Sequence, residues 1–312
     1  MGKRFESSRT VACAALVLLL TGCASSTTPK PSGLGAYGSL YDGKSQVVYG
    51  TQFPVSSAAE AIQRGDIAVT SGDLDRALFE YIRALDLDDD NADALYKIGV
   101  IHSARGNQQL AEVAFRWALR GQPNQVRALT GLGVLLLKRR EYEESKKHLE
   151  KAVSIEPRIP SAHSALGVIA DLEGAYPRAQ SHYSKALEGN PKSPSLLNNL
   201  GYSRYLSGDW KGATAAFREA LIADPQYDLA WRNLGLVYAR QQEYTKALDA
   251  LSKTEDVPKA YNDMGYVAMV SGRLGDAESF FEKAMHLSPD YYELAETNGR
   301  RIQLMRGLAG AP

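Results

Sequence analysis

The strongest constraint on the fold of this chain is a glycine that returns every 34 residues. The spacing holds through the sixth copy and shortens to 30 residues before the seventh: Gly65, Gly99, Gly133, Gly167, Gly201, Gly235 and Gly265. Each glycine is followed by a small residue twelve positions later and by a large apolar or aromatic residue sixteen positions later. A fixed period of this length indicates one structural unit that is repeated along the chain.

The repeated glycine predicts closely packed helices. A glycine inside a helix costs about 1 kcal/mol relative to alanine, so close packing has to offset that cost. Small side chains allow helix axes to approach at the low end of the 8–10 Å range. We therefore expect each repeat to be a pair of helices, A and B, that buries its apolar face only by stacking on its neighbours. Three turns fit this prediction, with a glycine ending helix A and the next residue capping helix B: Gly72-Asp73, Gly106-Asn107 and Gly208-Asp209.

The pattern of small, large and proline positions resembles the tetratricopeptide repeat over residues 58–291. The resemblance implies an all-α fold, an α-solenoid in which about seven repeats form a right-handed superhelix. Residues 292–312 continue the pattern and then turn basic, which predicts a C-terminal capping helix and tail. About four residues are missing between Leu251 and Pro258. We therefore expect a short second helix in the sixth repeat and a local break in the curvature of the superhelix.

Residues 1–22 have the pattern of a signal peptide. Basic residues precede an apolar run at 11–20, which is too short for the roughly 20 residues of a transmembrane helix. The run ends in Leu20-Thr21-Gly22-Cys23, which resembles the lipobox of bacterial lipoproteins. That resemblance implies cleavage before Cys23, a diacylglycerol on its sulfur and an acyl chain such as palmitate on its amine. An ordinary signal peptide that happens to carry a cysteine is the alternative.

The residue after Cys23 is Ala24 and not aspartate. In lipoproteins of Gram-negative bacteria this is similar to the pattern of export to the outer membrane, with the protein facing the periplasm. Membrane attachment would then depend on the covalent lipid, and no other cofactor is expected.

Residues 23–57 form a predicted tether that is rich in Ser, Thr, Gly and Pro. Its second half differs, because it carries apolar and aromatic residues: Tyr41, Val47, Val48, Tyr49 and Phe53. Two interpretations stay open at this point. The second half is either a disordered linker or an extended strip that lies against the first repeat.

The sequence contains no pattern that predicts catalysis. The 36 basic and 36 acidic residues balance, so nothing indicates a nucleic-acid partner. Phosphate-binding loops, zinc-protease motifs and nucleophile elbows are absent from the sequence, and no cysteine follows Cys23. Five histidines are expected to pack in the core or at its rim: His102, His148, His163, His182 and His286. We therefore expect that the protein is not an enzyme, has no metal site and binds no small-molecule substrate.

The concave face of the stack, which the A helices line, is the expected site of partner binding. Its residues in repeats 1–4 are mostly small or aliphatic: Val69, Val100, Ala104, Val134, Ser164 and Val168. Repeats 5–7 carry the candidate partner-binding residues: Asn198, Tyr202, Tyr205, Arg232, Arg240, Asn262, Asp263 and Tyr266. Tyrosine and arginine beside amides are typical of binding hot spots. The same residue types are also common at these repeat positions whatever the partner, so both interpretations stay open.

The lipobox, the tether and the repeats together resemble the TadD family of tight-adherence (Flp) pilus assembly lipoproteins. The stretches that carry this resemblance are residues 47–66, 195–210 and 230–248. It implies a non-enzymatic, membrane-anchored scaffold that assists assembly or outer-membrane localisation of the pilus secretin. The implied partner is the secretin or another pilus assembly component. The alternative is an envelope adaptor for outer-membrane protein assembly or for peptidoglycan hydrolases.

Overall fold

The computed structural model describes residues 37–43, 54–288 and 292–309. Residues 307–309 are described by their backbone alone. Cys23, the predicted signal peptide and Val47, Val48, Tyr49 and Phe53 lie outside these residues. None of the helices described has the length and apolar character needed to cross a membrane.

The described chain is a succession of paired helices, which confirms the predicted all-α architecture. Fifteen α-helices and no strand occur in these ranges. They are α1 (Ala58–Thr70), α2 (Leu74–Leu87), α3 (Ala92–Arg105), α4 (Gln108–Gly121), α5 (Val126–Lys138), α6 (Tyr142–Ile155), α7 (Pro160–Leu172), α8 (Tyr176–Gly189), α9 (Pro194–Leu206), α10 (Trp210–Ala223), α11 (Asp228–Arg240), α12 (Tyr244–Leu251), α13 (Val257–Val270), α14 (Leu274–Leu287) and α15 (Glu293–Ala309).

The odd-numbered helices line one face of the stack. From α3 to α13, each packs against the even-numbered helix that follows it and against the next odd-numbered helix, as α5 does with α6 and α7. We call the side formed by α1, α3, α5, α7, α9, α11 and α13 the A face. It corresponds to the face that the sequence predicts to be concave.

The repeated glycines make room for the large residue sixteen positions later. A Cβ on Gly99 would lie 2.5 Å from the ring of Phe115, and one on Gly265 would lie 2.6 Å from Phe281. The same contact recurs in the other five repeats, where the large residues are Tyr81, Leu149, Tyr183, Phe217 and Leu251. The A and B helices of a repeat can therefore approach only because the glycine has no side chain.

Two of the three predicted caps form as expected. Asp73 and Asp209 accept hydrogen bonds from backbone N–H groups in the first turns of α2 and α10. Asn107 lies at the corresponding place before α4 but makes no such bond. Its amide donates instead to the carboxylate of Asp42, so the predicted cap is wrong at this helix. Gly106, the glycine of that turn, has a φ of 80° and ends α3 in the left-handed conformation.

The sixth repeat is shortened, as the missing residues predict. Its second helix, α12, has 8 residues, whereas the other even-numbered helices have 14. The residues from 252 to 256 form the turn into α13 and include Glu255. The expected break in superhelix curvature stays a prediction.

Residues 37–43, here called the strap, fold back onto the first two repeats. Gly38–Leu40 form a 3-10 turn, and Leu40 is 1% exposed in the same apolar cluster as α2 residues such as Leu78. Tyr37 packs edge-on against Trp117, with ring centroids 5.6 Å apart. Its hydroxyl donates to the carbonyl of Asp89 at 2.6 Å.

Polar contacts hold the other end of the strap. The Nε2 atom of His102 lies 2.8 Å from the carbonyl oxygen of Leu40, and Arg105 donates to the Asp42 carboxylate at 2.6 Å. Both partners come from α3, the first helix of the second repeat. The second half of the tether was expected to be either disordered or extended along the first repeat. The described residues of that half are 40–43 and 54–55, and Leu40 and Val55 pack in the apolar cluster of repeats 1 and 2. These residues agree with the interpretation that the segment lies against the array, whereas residues 44–53 lie outside the described part of the chain.

Candidate functional site

The A face divides into two regions with different surfaces. The first, which we call the groove, lies between α3 and α5 and reaches the start of α7; it encloses about 590 Å³. The second, which we call the C-terminal patch, comprises the eight residues predicted on α9, α11 and α13. A cavity of several hundred Å³ is in the range of ligand-binding sites. The groove lies in the half of the chain that the sequence suggested was featureless.

The floor of the groove is apolar. Val100 and Val134 line it and follow the repeated glycines of α3 and α5 by one position, so they occupy the same register on neighbouring helices. Tyr96 and Ile159 extend the apolar surface. The position after the glycine is apolar in six of the seven repeats: Val100, Val134, Val168, Tyr202, Leu236 and Tyr266. This recurrence on an exposed face was the signal that could have identified the groove from the sequence.

Charged side chains stand at the two ends of the groove. Arg127 is in the first turn of α5 and Lys138 is its last residue, so about 16 Å of helix separates them. The side chain of Arg127 is 70% exposed and lies 3.7 Å from Asp93. Neither Lys138 nor Glu156, which also lines the groove, has an ion-pair partner among the described residues.

The C-terminal patch presents two exposed tyrosines. Tyr202 is 44% exposed and Tyr266 is 47% exposed. Tyr205 stacks on Tyr202, with ring centroids 6.2 Å apart, and burial raises the pKa of the Tyr205 hydroxyl. These rings are the part of the predicted patch that a partner could reach most directly.

Two predicted residues of the patch lie in the interior. Asn198 and Asn262 are 6% and 3% exposed. The Asn233 side-chain amide donates to Asn198 at 2.9 Å, and the Asn298 amide donates to Asn262 at 3.1 Å. Both asparagines therefore join neighbouring A-face helices, and their placement on a binding surface is corrected. Each lies three positions before its glycine, where the side chain points toward the next helix of the stack.

The remaining polar residues of the patch are bonded within the chain. Arg232 pairs with Glu255 at 3.0 Å and with Asp263 at 3.1 Å. The Glu255 side chain is only 3% exposed, and burial followed by the nearby Asp263 charge raises the pKa of its carboxyl. Arg240 donates to Ser271 at 2.6 Å. Sequence analysis missed Glu255, because its inward position follows from the turn that replaces the end of α12.

Four of the five histidines are buried or half-buried as expected, whereas His286 is exposed on α14. Two of the four form a pair that the sequence did not reveal. The Nδ1 atoms of His163 on α7 and His182 on α8 are 3.0 Å apart, and Nε2 of His163 lies 2.8 Å from the carbonyl of Pro157. Burial, followed by the charge of the neighbouring His163, lowers the pKa of His182 to about 4. Across this contact one ring donates and the other accepts. The ranges described contain no cluster of three or more His, Cys, Asp or Glu side chains that could hold a metal ion.

Comparisons with known proteins agree with this architecture. A sequence model of the tetratricopeptide repeat family matches residues 104–157, 130–194, 173–228 and 198–259, together half of the chain. A second such repeat model matches residues 65–106. No curated protein matches the chain.

Two solved structures share the fold. A tetratricopeptide repeat protein from Parabacteroides merdae is 19% identical, with a TM-score of 0.55, and the match covers 80% of this chain and 100% of the other. PilF from Pseudomonas aeruginosa is also 19% identical, with a TM-score of 0.53 and coverage of 70% and 98%. At this identity the similarity shows the fold alone.

Proteins of this repeat family are in general non-enzymatic scaffolds for protein–protein interaction. The glycine period, the paired helices and the sequence models agree over residues 65–259. The chain therefore belongs to the tetratricopeptide repeat family.

Proposed function

We propose that this protein is a membrane-anchored scaffold that binds an extended segment of a partner protein on its A face. The groove is the observation that supports this proposal most strongly. It combines an apolar floor of Val100 and Val134 with a volume of about 590 Å³ and with two charged side chains, Lys138 and Glu156, that have no ion-pair partner among the described residues. An extended segment can place alternate side chains on such a floor while its backbone stays solvated.

The anchor in this proposal is the lipid on Cys23, and the location is the outer membrane, facing the periplasm. The lipobox-like sequence Leu20-Thr21-Gly22-Cys23 supports it. Thirteen residues separate Cys23 from the strap, so the first repeats would lie within about 50 Å of the membrane surface. Labelled palmitate should be incorporated into the wild-type chain and not into Cys23→Ser, which should leave the membrane fraction. Membrane retention of Cys23→Ser would contradict the anchor.

The partner in this proposal is the secretin of a tight-adherence (Flp) pilus, or another component of its assembly. The TadD-like stretches at 47–66, 195–210 and 230–248 support this identification. A photo-crosslinking residue at Val134, inside the groove, should capture the secretin in envelope preparations. The same residue at Ile222, which is 83% exposed on α10 and outside the A face, serves as the control. Equal capture at both positions, or no capture at Val134, would rule out binding through the groove.

The C-terminal patch is tested separately through its tyrosines. Replacing Arg232 would remove a partner of the buried Glu255 carboxylate, so a loss of binding could not be separated from a loss of stability. Tyr202→Ala combined with Tyr266→Ala removes only exposed rings. Reduced capture with unchanged helicity would extend the binding surface to this patch, whereas unchanged capture would confine it to the groove.

A further inference from the structure

We infer that the groove selects segments in which an acidic side chain precedes or follows a short apolar stretch. Lys138 is the residue that binds the acidic group. This inference depends on the proposed function, since it specifies the chemistry of the segment bound there. The argument rests on three features: an unpaired lysine at one end, an apolar floor, and an arginine at the other end that already lies near a carboxylate.

Lys138 is the charged side chain that lines its end of the groove, and Arg139 beside it is already paired with Glu112 and Glu141. Neighbouring A-face helices carry Ala104 and Leu172 at the same register, so neither supplies a competing charge. The nearest acidic residues at the end of α7 are already bonded. Asp171 accepts from Tyr183 and Ser203, and Glu173 pairs with Lys146 and Arg178.

Arg240 is the other cation at this register of the repeat, and it shows why Lys138 differs. Its guanidinium donates to Ser271 at 2.6 Å and lies 6.0 Å from the centre of the Trp210 ring. Lys138 has no hydrogen-bond or ion-pair partner in the described chain and is exposed at the mouth of the groove. A carboxylate can therefore reach its ammonium group without breaking an existing contact.

The opposite end of the groove carries charges of both signs. Asp93 lies 3.7 Å from Arg127 and 3.6 Å from Lys97, and Glu156 adds a carboxylate that has no ion-pair partner in the ranges described. Lys138 is therefore the one cation lining the groove that has no acidic partner among the described residues. A bound segment would be oriented by this side chain, with its acidic residue at the Lys138 end.

The length of the groove sets the length of the segment. Lys138 and Arg127 are eleven residues apart on one helix, or about 16 Å, which corresponds to about five residues of extended chain. Val100 and Val134 lie between these ends. The matching segment is thus about five residues long, with apolar side chains in the middle and an aspartate or glutamate at one end.

The test uses the purified protein and fluorescent hexapeptides of alternating alanine and valine with both termini blocked. Three peptides carry a terminal aspartate, a terminal asparagine or a terminal lysine, and a fourth lacks the aspartate but has a free carboxyl terminus. We expect the aspartate peptide to bind about fivefold more tightly than the asparagine peptide, which is the scale of an exposed ion pair. The preference should disappear in 1 M NaCl, where charges are screened within about 3 Å.

Variants assign the preference to one side chain. Lys138→Gln should abolish it without changing binding of the asparagine peptide, and Lys138→Glu should reverse it in favour of the lysine peptide. Lys192→Gln, at an exposed lysine in the turn before α9, is the matched control and should change nothing. Equal binding of the aspartate and asparagine peptides, or a preference that survives in Lys138→Gln, would overturn the inference. So would a preference for the free carboxyl terminus over the aspartate side chain.

This experiment and the crosslinking experiment fail in distinguishable ways. If Val134 captures a partner but the peptides show no charge preference, the scaffold function stands and the role of Lys138 is wrong. If neither the peptides nor the crosslinker detects binding in the groove, both proposals are wrong.

Discussion

The two halves of the array follow the same repeat but use their A faces differently. In the N-terminal half, α1 to α7, the A face keeps an open apolar groove whose charged residues Lys138 and Glu156 are free of ion pairs in the described chain. In the C-terminal half, α9 to α15, polar residues of the same face bond to one another, as Arg232 does with Glu255 and Asp263. Residue type alone therefore does not identify a binding surface; what matters is whether a side chain already has a partner.

The halves also differ in how their helices are covered. In the N-terminal half the strap covers α2, because Leu40 shares the apolar cluster of that helix. Eight residues of α2 are buried, whereas only four are buried in α4, the second helix of the next repeat. The C-terminal half ends instead with α15, which packs on α13 and α14. A stacked array must cover both of its ends. Here the first end is covered by a segment outside the repeat pattern and the last by a continuation of it.

The largest effect is expected where the halves are alike. Gly99→Val and Gly265→Val should each lower the free energy of unfolding by about 3 kcal/mol, because the new side chain would collide with Phe115 or Phe281. Urea denaturation followed by circular dichroism measures the loss. Gly275→Ala is the control, since a Cβ there meets no atom within 4 Å. Tolerance of valine in one half would show that the halves do not share this packing.

A slightly smaller effect should separate the halves. Leu40→Ala removes a side chain that is 1% exposed and should destabilise the strap and the helices beneath it by about 2–3 kcal/mol. Hydrogen exchange should accelerate in α2, α3 and α4 and stay unchanged in α10 and α14. Ser39→Ala, at an exposed position in the same turn, should have no effect. Faster exchange throughout the array would contradict an N-terminal role for the strap.

The junction of the halves should respond to acid. The pKa of His182 is about 4 in the folded chain and about 6.5 when unfolded, so the unfolded chain takes up the proton first as the pH falls. Stability should therefore be complete above pH 6.5 and decline by about 2 kcal/mol toward pH 4. Urea midpoints at pH 7.5 and pH 5 measure this decline. His182→Gln should reduce it and His286→Gln, at an exposed site on α14, should not; an unchanged decline in His182→Gln would contradict this origin.

The smallest effect concerns two arginines of the A face, Arg232 and Arg127. Arg232→Ala should cost about 1 kcal/mol, because it leaves the buried Glu255 carboxylate with one partner fewer. Arg127→Ala should change stability by less than about 0.5 kcal/mol, because that side chain is 70% exposed. Thermal unfolding of both variants provides the comparison. Equal losses would show that Arg232 is not a structural residue of the C-terminal half.

Much of the fold was predictable because it repeats. The glycine spacing predicted the helix pairs, and the four missing residues predicted the short α12. The binding surface was less predictable. Tyr202 and Tyr266 were correctly placed on the exposed A face. Asn198 and Asn262 were not, because each is buried against an asparagine of the neighbouring helix that donates a hydrogen bond to it.

The sequence by itself determined the repeat, since a glycine leaves the space that the large residue sixteen positions later fills within the same helix pair. Only the tertiary structure decided the strap on α3, the pairing of His163 with His182 and the inward turn of Glu255. These contacts join residue types that do not occur together at the same positions of the other repeats. A period reports what every copy shares, whereas a contact made once depends on the three-dimensional arrangement that stacking creates.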